Sequence, residues 1–562
     1  MGSDPTVAEA VVEYLEELSV QYIHGNPGTT ELPFVQAVRS SDISYRLCLH
    51  EDVAVGCASG ESAVQNYSDF ERTGVDLGVA NLHTSGGLAH GLANLYGAGR
   101  SRTPLLTIVG TQSLDFRHEE PILSDSCEPM VREFVQWSGE INEPSSALAR
   151  LRKAIRAALT PPRGPSVLAL PLDVAQAPYS GRVHSIGDIS SGGSASPEKI
   201  TELSELLENS SEIGLVVGDE LGQYGRETVQ DTLRLAERTG AYVFGEILAA
   251  HCNFPKDSDP WISPLPPDTN LCRQLLDLET VVFMGCKYQT ALFESDGPIV
   301  PESTTAVQVN ATPGDIGTSQ PVDLAVAGDP RDVIKALLQG DLSIPKTERT
   351  EREEHRTAVQ ELVDLRMDEL RSSPDSSEYC TQKNVVEVMS ETLEDAFIVD
   401  EGVTGRFELL TQGSLKPERY LSNRGGALGY GLPASLGVAF AAEAAETDVP
   451  VLAYIGDGSF WYYPQTLHTA QRYELNLTVL VLRNDRYQIL EDNAEDLMGR
   501  KPDFDTTRLV NLSSEEAGTS QGVRSTQVQP PPELKEVLQR ELQTPSPGLI
   551  EVDLTGVPSE TA

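Results

Sequence analysis

The chain has no long hydrophobic run: nothing in it approaches the roughly 18 consecutive apolar residues of a membrane-spanning helix. Its N-terminus, MGSDPTVAEA, lacks the basic stretch and apolar core of a secretory signal. Neither membrane insertion nor secretion is expected. Basic residues are scarce, with 42 Lys and Arg against 85 Asp and Glu and a net charge of −43. A chain this acidic repels nucleic acid and anionic membrane surfaces, so neither is expected as a partner. The acids are spread along the chain, Arg far outnumbers Lys, and 39% of residues are hydrophobic, too many for a disordered acidic chain. The expectation is a cytoplasmic, halophilic protein, because high salt screens this self-repulsion. Cysteine is sparse and scattered, at 48, 57, 127, 252, 272, 286 and 380, with no Cys-x-x-Cys pair and no His/Cys grouping along the sequence. That spacing argues against a disulfide framework and against a structural zinc site.

At 562 residues the chain is too long for one core, and three domains of ordinary size are the natural division. From about residue 6 to 178, helical stretches alternate with short strands, Leu105–Val109 and Val167–Leu170 among them. A Gly/Ser-rich passage, Ser190 to Ser194, reads as a linker. A second alternation, from about 197 to 340, has strands at Ile213–Val217, Thr280–Met284 and Ala306–Val309. The charged stretch Thr347 to Arg371 reads as a solvated connecting helix that ends at Ser372-Ser373-Pro374. A third alternation fills about 380 to 556. Helices alternating with strands predict an α/β protein of three doubly wound parallel-sheet domains, divided as 1–180, 195–342 and 375–562. The middle unit has no Gly-x-Gly-x-x-Gly after a strand, and no flavin is expected there.

The most informative segment is Gly456-Asp457-Gly458-Ser459. It closes the apolar run Val451–Ile455, which reads as a buried parallel strand. A second run, Thr478–Leu482, ends just before Asn484, and Pro464 to Leu475 between them has helical spacing. The unit is β-α-β. Asp457 and Asn484 therefore emerge at the carboxyl ends of two parallel strands, the ligand-binding edge of an open α/β sheet. A carboxylate, an amide oxygen and a nearby carbonyl supply half the octahedral oxygen shell of Mg²⁺, and phosphate oxygens and water can supply the rest. Glycines at 456 and 458 let the backbone approach those phosphates.

This unit resembles the cofactor motif of thiamine-diphosphate (ThDP) enzymes. The domain order resembles the pyrimidine-binding, central and diphosphate-binding domains of ThDP-dependent 2-oxo acid decarboxylases. The family's pair of asparagines is Arg483-Asn484 here, and the metal-binding second Asn is kept. The resemblance implies Mg²⁺ held by Asp457, Asn484 and the carbonyl of Arg486. It implies ThDP contacts from Gly456, Asp457, Gly458, Ser459, Asn484 and Tyr487, with Leu428, in Gly425–Gly431, as the apolar wedge that bends the cofactor. Glu51 follows the strand Tyr45–Leu49 and opens a helical pattern; read alone, it is a carboxylate suited to a helix start. The resemblance gives it a further role, hydrogen-bonding the aminopyrimidine ring so that the ring becomes the base for the cofactor's C2 proton.

Two further stretches resemble benzoylformate decarboxylases. His24-Gly25-Asn26-Pro27-Gly28-Thr29-Thr30-Glu31 is similar to the loop that presents a hydroxyl, here Thr29, to the substrate carboxylate. Asn81-Leu82-His83 is similar to the stretch that places a catalytic histidine, here His83, in the pocket. The substrate end departs from the pattern. Gly285 to Phe293 holds no second pocket histidine, Ser422 and Asn493 stand where Phe is expected, and Ile489 stands where a smaller residue is expected. Arg424, beside Ser422, is placed to meet a second anionic group. The expectation is non-oxidative decarboxylation of a small-molecule 2-oxo acid to an aldehyde and CO₂. The family architecture implies a homodimer at minimum and a homotetramer of two dimers, with Glu51 of one subunit meeting Asp457 of another. The alternatives are a ThDP carboligase of the acetohydroxyacid-synthase type and a relative that only binds ThDP.

Overall fold

Apolar runs too continuous to present a polar face fold here as strands buried on both sides, the position such runs take in parallel sheets. The computed structural model describes residues 4–67, 75–184, 193–287, 289–290, 297–370, 379–499 and 505–556. These residues form three six-stranded sheets, parallel at every pairing. The first comprises β1 (Tyr22–Asn26), β2 (Ser44–Leu47), β3 (Gly78–His83), β4 (Leu105–Thr111), β5 (Trp137–Glu140) and β6 (Pro165–Pro171), in the order β2-β1-β3-β4-β6-β5. The second comprises β7 (Ile213–Val217), β8 (Tyr242–Gly245), β9 (Trp261–Pro264), β10 (Thr280–Met284), β11 (Thr305–Asn310) and β12 (Leu324–Ala327), in the order β12-β11-β10-β7-β8-β9. The third comprises β13 (Phe397–Glu401), β14 (Tyr420–Ser422), β15 (Val451–Gly456), β16 (Leu477–Arg483), β17 (Arg524–Val528) and β18 (Gly548–Asp553), in the order β14-β13-β15-β16-β18-β17. The outer two sheets thus share one winding. The middle sheet has the strand order of dinucleotide-binding sheets, although order alone fixes no ligand.

In both outer domains the second strand leads into a long helix, Glu51–Tyr67 in the first and Gly431–Ala444 in the third. These helices pack against each other, and the two domains share one hydrophobic core. Their backbones touch. A β-carbon at Gly60 would lie 2.1 Å from the Ala434 carbonyl oxygen, and one at Gly437 would lie 1.9 Å from that of Cys57. Only glycine permits so close an approach.

The charged helix, Lys346–Leu370, differs from the solvated connector read in the sequence. Arg352 is 1% exposed. Its guanidinium donates to the carbonyls of Thr239 at 2.5 Å, Leu207 at 3.4 Å and Ser210. Those carbonyls lie at the C-terminal ends of helices Arg226–Thr239 and Pro197–Asn209, where a cation is favourable. A charge run conceals such burial because the waiting carbonyls belong to distant helices. The helix end read at Ser372-Ser373-Pro374 and the linker residues Ser190, Ser191 and Gly192 lie outside the described residues. No described helix is long and apolar enough to cross a membrane. All seven cysteines are buried. The fold groups Cys48 and Cys57 with His24, correcting the absence of a His/Cys cluster read from spacing alone.

Candidate active site

The third-domain site begins with register. Gly456 pairs with Leu482 across β15 and β16, so the chain leaves both strands at one level. Asp457 is buried there. Its Oδ2 accepts the backbone N–H of Asp485 at 2.8 Å and of Asn484 at 3.2 Å, and its Oδ1 accepts that of Gly458 at 2.8 Å. Burial pushes its carboxyl up to about 6, opposed by these donors and assisted by the Asp485 charge. A cation beside it would reverse that shift. Asn484 Oδ1 accepts the N–H of Arg486 at 3.2 Å, closing a turn in which Asp485 takes φ 58°.

One pocket gathers the third-domain residues expected from the sequence. Gly456, Asp457, Gly458 and Ser459 line it together with Asn484, Arg486 and Tyr487, and Leu428 and Ile489 add apolar surface. A β-carbon at Gly458 would lie 2.4 Å from the Tyr487 ring, so glycine is what lets turn and ring touch. The buried Ser459 hydroxyl has no hydrogen-bond partner among the described residues. An orphan hydroxyl beside a carboxylate and an amide is a donor set that a diphosphate with Mg²⁺ would satisfy, so the residues fit that group. Gln382, Gly402, Val403 and Thr404 line the same pocket and were not singled out from the sequence. The signal was present, since they include the exit from the apolar strand β13, next to β15. Val403 is β-branched yet takes φ 51°, a strained geometry that recurs at ligand sites.

Two arginines near the site have their charges matched by carboxylates of the protein. Arg483, the departure from paired asparagines, pairs with Glu551 at 2.7 Å, Asp485 at 3.1 Å and Asp553 at 3.4 Å. Asp553 is its register partner on β18. Its charge is therefore used between strands. Arg424 corrects an expectation. It is buried and bonded to Asp219 and Glu246 of the central domain, so its charge is matched within the protein and is not held for a second substrate anion. The loop bearing Leu428 is anchored by Glu401, which accepts the N–H groups of Gly429 at 3.0 Å, Tyr430 at 3.2 Å and Gly431 at 2.8 Å. Burial raises the Glu401 carboxyl to about 7 against those donors.

The first-domain edge is built from carboxylate–imidazole pairs. Glu51 begins its helix buried, with Oε2 3.2 Å from His90 Nδ1. The His90 ring stacks on His50 at 5.3 Å, and His50 meets Tyr463 of the third domain at 5.0 Å. His83 ends β3, with Nδ1 2.8 Å from Glu31 Oε2 and 3.2 Å from Thr30 Oγ1. The Gly28 N–H donates to the same Glu31 oxygen at 2.7 Å. Thr29 is exposed, and the buried hydroxyl beside His83 belongs to Thr30, which donates to Glu31 Oε1 at 2.7 Å. The sequence reading missed Glu31 and His90 as partners. Glu31 could have been flagged by its place in the same loop as Thr29, whereas His90 has no local signal. Glu51, His83 and Thr29 do not line the third-domain pocket of their own chain. Ser422 and Asn493 do not line it either. Within Gly285 to Phe293, Tyr288 and residues 291–293 lie outside the described residues.

Comparison with known proteins agrees with this geometry. The chain matches the thiamine pyrophosphate enzyme family in three successive segments: the N-terminal TPP binding domain over residues 5–134, the central domain over 200–337 and the C-terminal TPP binding domain over 404–552. It is 26% identical over 554 residues to the benzoylformate decarboxylase of Pseudomonas aeruginosa, covering 97% of this chain and 98% of that one. It is 24% identical over 513 residues to the acetolactate synthase isozyme 3 large subunit of Escherichia coli, covering 85% and 82%. Its fold is that of the benzoylformate decarboxylase from Polynucleobacter necessarius, with a TM-score of 0.84, 24% identity, and 97% and 98% of the two chains covered. Each matched segment contains strands of one of the three parallel sheets, and the chain belongs to the thiamine pyrophosphate enzyme family.

Proposed function

We propose that the protein is a ThDP- and Mg²⁺-dependent decarboxylase that converts a 2-oxo acid to an aldehyde and CO₂. The supporting observation is what two sheet edges carry. The third domain has a pocket with a buried carboxylate, an amide and an orphan hydroxyl, and the first has Glu51 and the Glu31–His83 pair. Asp457, Asn484 and the Arg486 carbonyl would hold Mg²⁺, with Ser459 and the Gly456–Gly458 turn toward the diphosphate. When bound, ThDP supplies the nucleophilic carbon and electron sink that decarboxylation needs. Glu51 would hold the aminopyrimidine end and share a proton with it. Thr29 orients the substrate carboxylate. His83 exchanges a proton with the reacting substrate, and Glu31 on its Nδ1 fixes the ring for that exchange.

Because the pocket and the Glu51 edge are separate within one chain, the complete site takes Asp457 from one subunit and Glu51 from another. A homodimer is the smallest active unit in this reading, and the family architecture extends it to a homotetramer. The test is CO₂ release in high salt, with ThDP, Mg²⁺ and a panel of 2-oxo acids, the products being identified by mass. Aldehyde with CO₂ is the expected outcome. A longer hydroxyketone would make the protein a carboligase, like the acetolactate synthases among its relatives. ThDP binding without turnover of any panel member would leave a binding-only relative. Light scattering that finds an active monomer would refute the shared site.

A further inference from the structure

Three soft ligand atoms meet behind the first-domain loops. His24 lies on β1, Cys48 just beyond β2 and Cys57 on helix Glu51–Tyr67, and each is 0% exposed. One ring nitrogen and the two Sγ atoms all lie within 4.8 Å of one another. His24 Nδ1 is 3.3 Å from Cys57 Sγ. The opposite nitrogen, Nε2, is 2.8 Å from Glu61 Oε2, and Glu61 Oε1 accepts from Gln65 Nε2 at 3.1 Å. A carboxylate on Nε2 keeps the proton there, which leaves the Nδ1 lone pair directed at the thiols. Metal-ligating imidazoles are oriented by the same arrangement.

We infer that His24, Cys48 and Cys57 form a binding site for one soft d¹⁰ cation, with Zn²⁺ as the fitting ion. Zinc binds thiolate sulfur at about 2.3 Å and imidazole nitrogen at about 2.0–2.1 Å, so tetrahedral ligands stand roughly 3.4–3.8 Å apart. The 3.3 Å contact and the 4.8 Å limit bracket that spacing. On binding, two S–H bonds give way to two S–Zn bonds and two protons leave to solvent. Two thiolates and one Zn²⁺ then sum to no net charge, as a buried site requires. A water can take the fourth position.

The role is structural. The His24 ring packs at 5.4 Å on Phe440 of the third-domain helix. The ion would therefore fasten β1, the end of β2 and the helix beginning at Glu51 beneath the contact between the two outer domains. No short Cys/His spacing announces the site because its ligands come from three separate places in the first domain, with helix Leu32–Arg39 between the first two.

The experiment is refolding of the full chain with and without Zn²⁺, followed by desalting, metal analysis and thermal unfolding. The expected result is one Zn²⁺ per chain and a higher Tm, with both lost in Cys57→Ala and Cys48→Ala. Co²⁺ in place of Zn²⁺ should give thiolate-to-metal charge-transfer absorption. Should the variants fail to fold, X-ray absorption at the metal in the wild-type protein decides, with two sulfurs and one nitrogen expected. Zinc held only by oxygen ligands, as at Asp457, overturns the inference. So does a native Cys48–Cys57 disulfide by mass spectrometry, or an identical Tm and no bound metal after refolding with Zn²⁺.

Discussion

The first and third domains wind six parallel strands in the same order and carry different side chains at equivalent exits from their sheets. After the second strand, one carries Glu51 and the other the loop with Leu428. After the third strand, one carries His83 and the other Asp457. The difference lies in what each carboxylate faces. Asp457 is held by backbone N–H donors, which leaves it suited to a cation. Glu51 and Glu31 each face a histidine. In the proposed function, one scaffold thus yields an edge for phosphate and metal and an edge for protons. The winding places the residues, and the residue at each strand end decides the chemistry.

That division can be broken most severely at Asp457. Asp457→Ala should weaken Mg²⁺-dependent ThDP binding by more than ~100-fold, since even an outer-shell partner of a metal site is worth about 10–100-fold. Calorimetry that finds unchanged affinity would falsify the metal role. Glu51→Gln should do the converse, leaving ThDP affinity within a few-fold and slowing turnover by roughly 10²–10⁴. Hydrogen exchange at C2 of bound ThDP, followed by NMR, should slow in parallel. Unaltered exchange would remove Glu51 from the proton edge.

His83→Ala should lower kcat by about 10², the lower end of general acid–base effects. Glu31→Gln should cost less and shift the pH–rate profile, because Glu31 acts through the ring it orients. If the profile does not move, Glu31 only packs the loop. A milder effect separates the edges by pH. Burial lifts the Asp457 carboxyl of the metal-free protein to about 6, so below that pH a proton must leave before the cation can bind. ThDP affinity with Mg²⁺ should be flat above this pH and fall below it. The proton competes because the shift is upward; equal affinity at pH 5 and 7 would contradict it. The smallest change in activity should come from Arg483→Asn, which restores the family's paired asparagines. Turnover should stay within about twofold, while stability drops by roughly 1–3 kcal/mol as buried Glu551 loses a charged partner. Chemical denaturation reads the second quantity.

The sequence made the local parts of this comparison legible. Ile213–Val217 and Thr280–Met284 fold at the bounds their apolar runs suggest. The Gly456–Ser459 turn and Asn484 meet because one β-α-β unit carries both. Contacts whose partners come from elsewhere in the chain stayed hidden. Arg352 found helix ends, Arg424 found the central domain, and His24 found two cysteines from beyond β2 and from the helix that follows it. Side-chain type and spacing encode a periodicity, whereas these partnerships depend on which backbones come close in three dimensions.

The glycine contact between the two long helices bears on how such a protein can change. Where Gly60 and Gly437 bring main chain against main chain, no side chain is left to be trimmed or enlarged. The two edges of a chain are therefore gauged by a distance that ordinary substitution cannot adjust. In the proposed function, changes of substrate preference then fall to the loops that leave the strands, with the paired helices as their fixed frame.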